Sequence, residues 1–272
     1  MGNEARLGNF ALERAPEIKV ESAIENRTKE LYEDIHPYEV VEKSIRIYLT
    51  TLGITEQFFR GKDIVDCGFG GTGWASELFA RAGAKSVSGI DLNDHWRARL
   101  QERLKDYGVP LDLRTGNVLA LPWADNSFDY AHSYGVMMVT ADWKKGISEM
   151  VRVVRPGGTI FLMMYGKYGF LGELIRLTYR GLGKVVPYRM MAWIVKKTGL
   201  LRSPSLSILD AMYVPISVHL SERELVDYLK SIGLVNIRPF ENTKWKNSKF
   251  LANPLMFGRK INHNIWASKT AR

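Results

Sequence analysis

Val65-Asp66-Cys67-Gly68-Phe69-Gly70-Gly71-Thr72-Gly73-Trp74 is the stretch on which the fold turns. A short apolar run ends at a carboxylate, passes through glycines and enters a helix. Such a turn lets a ligand approach backbone that Cβ atoms would otherwise screen. Alone, Gly68-x-Gly70-x-x-Gly73 also fits the dinucleotide-binding fingerprint. Charge separates the two readings. A pyrophosphate is drawn to the positive end of a helix dipole and repelled by a carboxylate in the turn. Asp66, at the end of the strand, suits a ligand carrying an ammonium and a sulfonium.

Outward from this turn, short β-rich runs alternate with amphipathic helices. Strands are expected at Asp63 to Asp66, Ser86 to Asp91, Leu111 to Thr115, Phe128 to Ser133 and Thr159 to Tyr165. Helices fit between them at Trp74 to Ala82, Asp94 to Tyr107 and Trp143 to Val154. The alternation predicts a parallel sheet covered on both faces. Upstream, Glu21 to Ile35 and Tyr38 to Leu52 carry apolar residues at helical spacing, separated by His36-Pro37. Downstream, residues 166–209 break the rhythm. They are apolar and basic, with helical stretches at Leu171 to Tyr179 and Tyr188 to Lys197, and read as an inserted lid. A Ser221-x-x-Glu224 capping box then opens a helix, Ser221 to Ile232, which Gly233 ends. Two last strands, near Leu234 to Phe240 and Leu255 to Ile261, precede a polar tail. The division is therefore a single domain with a helical cap (1–60), a core (61–165), a lid (166–209) and the remainder of the sheet (210–272).

The totals agree with one ordinary globular unit: 272 residues, 46% apolar and 25% charged. No apolar run approaches the roughly 20 residues that span a bilayer. The start, Met-Gly-Asn-Glu-Ala-Arg, lacks the apolar segment of a secretory signal, and Arg6 stands where myristoylation needs Ser or Thr. The single cysteine, Cys67, excludes an internal disulfide or a cysteine-rich metal site, and a cytoplasmic location is the expectation. No ligand spacing of the His-x-x-x-His kind suggests a metal. The net charge of +9 is the unusual total. It suits nucleic acid, an anionic lipid surface or a phosphorylated substrate, and equally a basic face turned to water.

Further motifs follow in order. The second strand ends Gly89-Ile90-Asp91-Leu92-Asn93, where a carboxylate can accept from both hydroxyls of a ribose or cap the next helix. The third ends Gly116-Asn117-Val118-Leu119-Ala120-Leu121-Pro122, followed by Asp125-Asn126-Ser127-Phe128-Asp129. Arg155-Pro156-Gly157-Gly158 forms a tight turn before the fifth strand.

In this order and spacing, the segments resemble the class I S-adenosylmethionine-dependent methyltransferases, in the branch of the ubiquinone- and menaquinone-biosynthesis enzymes and many natural-product methyltransferases. The likeness covers Asp63 to Tyr165 firmly and the rest more loosely. It implies a Rossmann-like sheet of seven mostly parallel strands, with S-adenosyl-L-methionine as cofactor. By that likeness Asp66, Gly68 and Gly70 face the methionine portion, and Asp91 with Leu92 the ribose. Asn117 and the Val118 backbone take the adenine, and Ser133 lies beside the reacting methyl. The chain departs from the pattern in three places. Gly71-Thr72-Gly73 shifts the last glycine by one, Asn117 replaces the usual aspartate, and Met137-Met138-Val139 stands where many relatives carry paired histidines.

The acceptor is narrowed by absences. Ser133-Tyr134-Gly135 replaces the Asn-Pro-Pro-aromatic turn of nucleic-acid amino methyltransferases, and one cysteine excludes the paired-cysteine route to RNA cytosine. A hydrophobic or aromatic small molecule is the expected acceptor. A nucleic-acid methyltransferase, a nicotinamide-dependent oxidoreductase and a non-catalytic binding protein stay open as alternatives. His219 is the first candidate for a general base, because imidazole changes charge near neutrality. His36 and Tyr213 lie in segments that cover the site in relatives; Tyr32, Tyr134 and Tyr165 are further candidates to close the pocket. The basic, apolar segment from Phe170 to Arg202 suits peripheral contact with a membrane or anionic lipid, or a lid whose cations face water.

Overall fold

The computed structural model describes residues 38–198, 212–240 and 262–271. Five strands alternate with helices through the first part: β1 (Asp63–Cys67), β2 (Ser86–Asp91), β3 (Leu111–Thr115), β4 (Phe128–Tyr134) and β5 (Val154–Gly166). Helix α1 (Tyr38–Leu52) precedes them. Helices α2 (Trp74–Arg81), α3 (Asp94–Leu104) and α4 (Trp143–Val153) form the crossovers. Helices α5 (Phe170–Val185) and α6 (Tyr188–Thr198) follow, then β6 (His219–Leu220), α7 (Glu222–Ser231), β7 (Leu234–Phe240) and β8 (Asn262–Lys269).

The strands form one sheet in the order β3-β2-β1-β4-β5-β8-β7, with the two-residue β6 pairing β5 off this path. β1 to β6 pair in parallel, whereas β8 runs antiparallel between β5 and β7. Chain order moves outward from β1 through β2 to β3, then restarts beside β1 at β4 and moves the other way. Right-handed crossovers therefore place α2 and α3 on one face and α4 on the opposite one. Their inner residues meet the sheet: Leu78 and Phe79 of α2, Ile147 and Met150 of α4 are fully buried. Arg155, in the turn leading into β5, ties down the far ends of two strands through Asp63 and Asp129, at 3.1 and 2.7 Å. That turn lies inside the strand, a bulge between the pairs Phe128–Val154 and Tyr130–Thr159.

Most boundaries match the periodicity within a residue or two. The capping box is present as expected, with the Ser221 Oγ accepting from Glu224 N–H and the Glu224 carboxylate accepting from Ser221 N–H. The expected helix Glu21 to Ile35 and strand Leu255 to Ile261 lie outside the described residues. One correction concerns the end of the chain. Asn262–Lys269, read as a polar tail, is an interior strand of the sheet. Its polar residues are admitted because they find carbonyls: His263 Nε2 meets Leu220 O at 2.7 Å and Asn264 Nδ2 donates to Phe240 O at 3.5 Å. Lys269 Nζ donates to the carbonyls of Val151 and Val154. Buried polar groups so partnered cost little, and Ile265 and Ala267 supply the apolar contact.

Truncation of this strand's anchor tests its place in the core. Ile265→Ala, at a side chain 1% exposed, is expected to lower the unfolding free energy by about 2–5 kcal/mol in a urea titration. A loss below about 0.5 kcal/mol, typical of exposed sites, would put the strand outside the core.

Candidate cofactor and acceptor site

The site forms where the strand order reverses, at the carboxyl ends of β1 and β4, the place where open α/β sheets hold ligands. The glycine turn leaves β1 and is sewn to the end of β2 by two hydrogen bonds. Gly68 N–H donates to Ile90 O at 2.8 Å, and Gly70 N–H donates to the Asp91 carboxylate at 2.9 Å. Gly68 has φ +91°, and a Cβ there would lie 2.3 Å from Val136. The displaced third glycine has its own reason. Gly73 caps α2 with φ +52°, and a Cβ on it would meet Leu100 of α3 at 2.4 Å. Its shift by one residue is thus a packing demand of α3 on the helix start.

Gly70 differs from both. Its φ is +62° and nothing lies within 4 Å of where a Cβ would stand, so the turn presents open space there. Asp91 borders it, half-buried. Its second oxygen accepts from Asn93 N–H at 3.0 Å. Burial raises its pKa to about 6, although the backbone donors from Gly70 and Asn93 oppose the shift. A carboxylate in that position gains from further donors such as ribose hydroxyls. The alternative role, capping α3, falls to Asn93, whose side chain accepts from His95 N–H. Leu92 is half-buried beside Asp91, and Val118 is buried in the loop after β3. Asn117 is half-buried and accepts from Leu119 N–H at 2.9 Å, which turns that loop. An open glycine backbone beside a half-buried carboxylate fits an adenosine-containing cofactor.

The structure does not bring all expected residues to this opening. Asp66 is 1% exposed and engaged inside: one oxygen accepts from Ser76 Oγ at 2.7 Å, the other meets His132 Nδ1 at 3.0 Å. It is thus enclosed by contacts within the protein. Ser133 is also fully buried, its hydroxyl donating to Cys67 O at 3.1 Å. Tyr213 sits in a separate cluster with Met212, packed against Tyr179, Tyr188 and Met191, and donates to Val186 O at 2.9 Å. It anchors the α5–α6 corner. His36 and Tyr32 lie outside the described residues.

His219, half-buried at the carboxyl end of β5, has both ring nitrogens engaged. Nδ1 lies 3.2 Å from the Gly166 carbonyl, which only an N–H can satisfy, so Nε2 is the acceptor for Ser217 Oγ at 2.7 Å. Burial lowers its pKa below the usual imidazole value, with Arg176 adding to the effect. The ring stacks on Tyr165 at 5.4 Å between centroids.

His132 was not among the expected site residues. It pairs across the sheet with Asp66 and is nearly inaccessible, and its Nε2 has no hydrogen-bond partner. Such an unpaired nitrogen costs about 1–3 kcal/mol. The ring is stacked on Phe161 and edge-on to Tyr48 and Trp74. Four of the rings around it, Tyr48, Trp74, Tyr134 and Phe161, line a cavity with Phe240, Asn264, and Ile47 and Thr51 of α1. The readable signal was Tyr130-x-His132-x-Tyr134, three ring residues at strand period on the face turned to α1.

Residues 65–162 match the family model described as a methyltransferase domain. A demethylmenaquinone methyltransferase of Desulfitobacterium hafniense is 35% identical over 103 residues, 37% of this chain and 41% of that protein. A ubiquinone/menaquinone biosynthesis C-methyltransferase of Bdellovibrio bacteriovorus is 32% identical over 108 residues, 39% of this chain and 46% of that one. The chain thus spans less than half the length of these curated relatives. Among solved structures, an S-adenosylmethionine-dependent methyltransferase from Mesorhizobium loti superposes with a TM-score of 0.54 at 16% identity, over 84% of this chain and 96% of that one. That likeness shows the fold.

The Asp91 carboxyl predicts how cofactor affinity depends on pH. Ribose donors favour the ionised form, so binding releases a proton wherever the free carboxyl is protonated. In calorimetric titration, affinity for S-adenosylmethionine is expected to be level above pH about 7 and to fall about tenfold by pH about 5. Asp91→Asn should remove that slope and weaken binding; an unchanged slope would assign it to another group. Sheet order, the turn and the sequence match converge: residues 65–162 match a methyltransferase domain, and this part of the chain is similar to the S-adenosylmethionine-dependent methyltransferases of quinone biosynthesis.

Proposed function

We propose that this protein transfers the methyl group of S-adenosylmethionine to a small aromatic or otherwise apolar acceptor. The observation that carries this reading is the ring-lined cavity beside the glycine turn. Trp74 is the first residue of α2 and Tyr134 the last of β4, so two of its walls border the cofactor cradle. Aromatic walls suit a planar apolar ligand, and Asn264 provides a polar contact to orient it. The names of the two relatives, both tied to quinone biosynthesis, point to the same class of acceptor.

The cofactor supplies an electrophilic methyl group when bound. Gly68, Gly70, Asp91, Leu92, Asn117 and Val118 are assigned to hold it. Asp66 supports the turn through Ser76 and His132, and Ser133 joins β1 to β4 through Cys67. The cavity walls would orient the acceptor toward the methyl group that the cofactor would supply, which fixes geometry that free solution would leave to chance. A proton leaving the acceptor needs a base. His219 is assigned that role, because its contacts leave Nε2 as the basic nitrogen and burial favours the neutral ring. Residues 166–209, with α5 and α6 in them, are assigned as the lid.

Two outcomes are expected from turnover with a panel of phenolic and quinol-like acceptors. Tyr134→Ala should raise the acceptor KM about tenfold, with cofactor affinity held within about twofold. An equal effect on cofactor binding would move the acceptor elsewhere. His219→Gln should lower kcat by about 10²–10⁴-fold. In the unsubstituted protein kcat should fall only below pH about 6.5, since the base works when neutral. Undiminished turnover by His219→Gln would exclude it as the base.

A further inference from the structure

Helix α5 is amphipathic in the usual way but seated in reverse. Its packed side is made largely of small and polar residues, with Tyr179 against Met212 and Tyr213. Gly172 is buried, and at Gly183 a Cβ would lie 2.4 Å from Met212 O, so the helix rests against that backbone. Arg180 donates to the carbonyls of Val214 and Pro215, both at 3.1 Å, and Arg176 pairs with Glu173. The apolar stripe points the other way. Phe170, Leu174, Leu177 and Val185 recur at helical spacing and are 83%, 53%, 54% and 81% exposed. Trp193 of α6 adds a ring 59% exposed. Of the eleven large apolar side chains exposed among the described residues, eight lie between 170 and 193. Scattered exposed leucines need no explanation, but a stripe along one helix does.

The charge around the stripe is of one sign. From Lys167 to Thr198 the sequence holds seven Lys and Arg against one acid, Glu173, which Arg176 occupies. Lys184, Arg189 and Lys197 are exposed on the same two helices, and Lys197 Nζ lies 4.7 Å from the Trp193 ring centroid. That excess repels a second copy of the same face. Nucleic acid would meet the cations but leave the leucines in water. An anionic bilayer surface satisfies both, with apolar residues at the acyl boundary and lysines among the headgroups. No helix among the described residues is long and apolar enough to cross a membrane, so the contact is one of lying on the surface.

We propose that α5 and α6 form a docking platform for an anionic phospholipid bilayer, held by the leucine stripe and the surrounding cations together. The proposal does not depend on the identity of the acceptor or on the base. Its test is co-sedimentation of the full chain with vesicles of phosphatidylcholine alone and with phosphatidylglycerol at about one third, in low and high salt. Partition onto the anionic vesicles should exceed that onto neutral ones at least about tenfold and weaken in high salt. Leu174→Ser with Leu177→Ser should lose at least about tenfold in partition, with S-adenosylmethionine affinity unchanged as the check on folding. Absence of binding to anionic vesicles overturns the proposal. So does binding that ignores the leucine substitutions, which would be charge attraction alone. Concentration-dependent dimerisation that the same substitutions abolish would also overturn it, and would make the face an interface between copies.

Discussion

The hydrogen bond from Gly70 N–H to the Asp91 carboxylate joins the two halves of the cofactor cradle, and much of the architecture follows from making it. Asp91 is held at the end of β2 by the parallel register with β1. The turn reaches it because Gly68 and Gly73 adopt backbone angles that other residues rarely take, with Val136 and Leu100 pressed where side chains would stand. The bond also uses lone pairs of a carboxylate that burial pushes toward neutrality. A cradle built this way is largely formed before any ligand arrives, which spares binding the entropy of ordering a loop.

Beneath the turn lies a polar layer inside an aromatic one. Asp66, Ser76 and His132 form a buried chain of contacts, and beside it Tyr48 of α1 shares a hydrogen bond with Tyr130 of β4. Around them Phe59, Phe79 and Phe161 supply apolar bulk. In a low-dielectric setting such a layer strongly favours one arrangement, because each group displaced would lose its partner. The layer fixes α1 against the sheet, and α1 supplies Ile47, Tyr48 and Thr51 to the cavity. Core order and the shape of the acceptor side are therefore one problem, solved by the same rings.

The two ends of the sheet face different demands. At β5, β8 and β7 the pairing turns antiparallel, and polar residues of β8 enter the interior because carbonyls of β6 and β7 receive them. On the other side of the chain's economy, α5 sends glycine and arginine inward and leucine outward. The first case hides polarity where the sequence predicts a polar tail; the second exposes the apolar surface of a segment that the sequence reads as a basic, apolar lid or membrane contact. In both, local pattern gives the element, and the partner available decides its orientation.

Local sequence pattern is enough to specify the parallel core. The strands β1 to β4, the crossovers and the capping box of α7 rest on local periodicity, glycine geometry and side chains reaching backbone three residues away. Asp91 and the glycines were legible for the same reason, since a strand end and a turn specify where they point. That Asp66 and Ser133 turn inward follows from the assembled sheet, because which neighbours a side chain meets on adjacent strands is set by register between distant segments. The assembled fold likewise decides that Tyr213 anchors the α5–α6 corner, that His132 packs against rings that line the cavity, and that Asn262–Lys269 enters the sheet. Each depends on a contact between residues far apart in the chain, and local spacing carries no information about that contact.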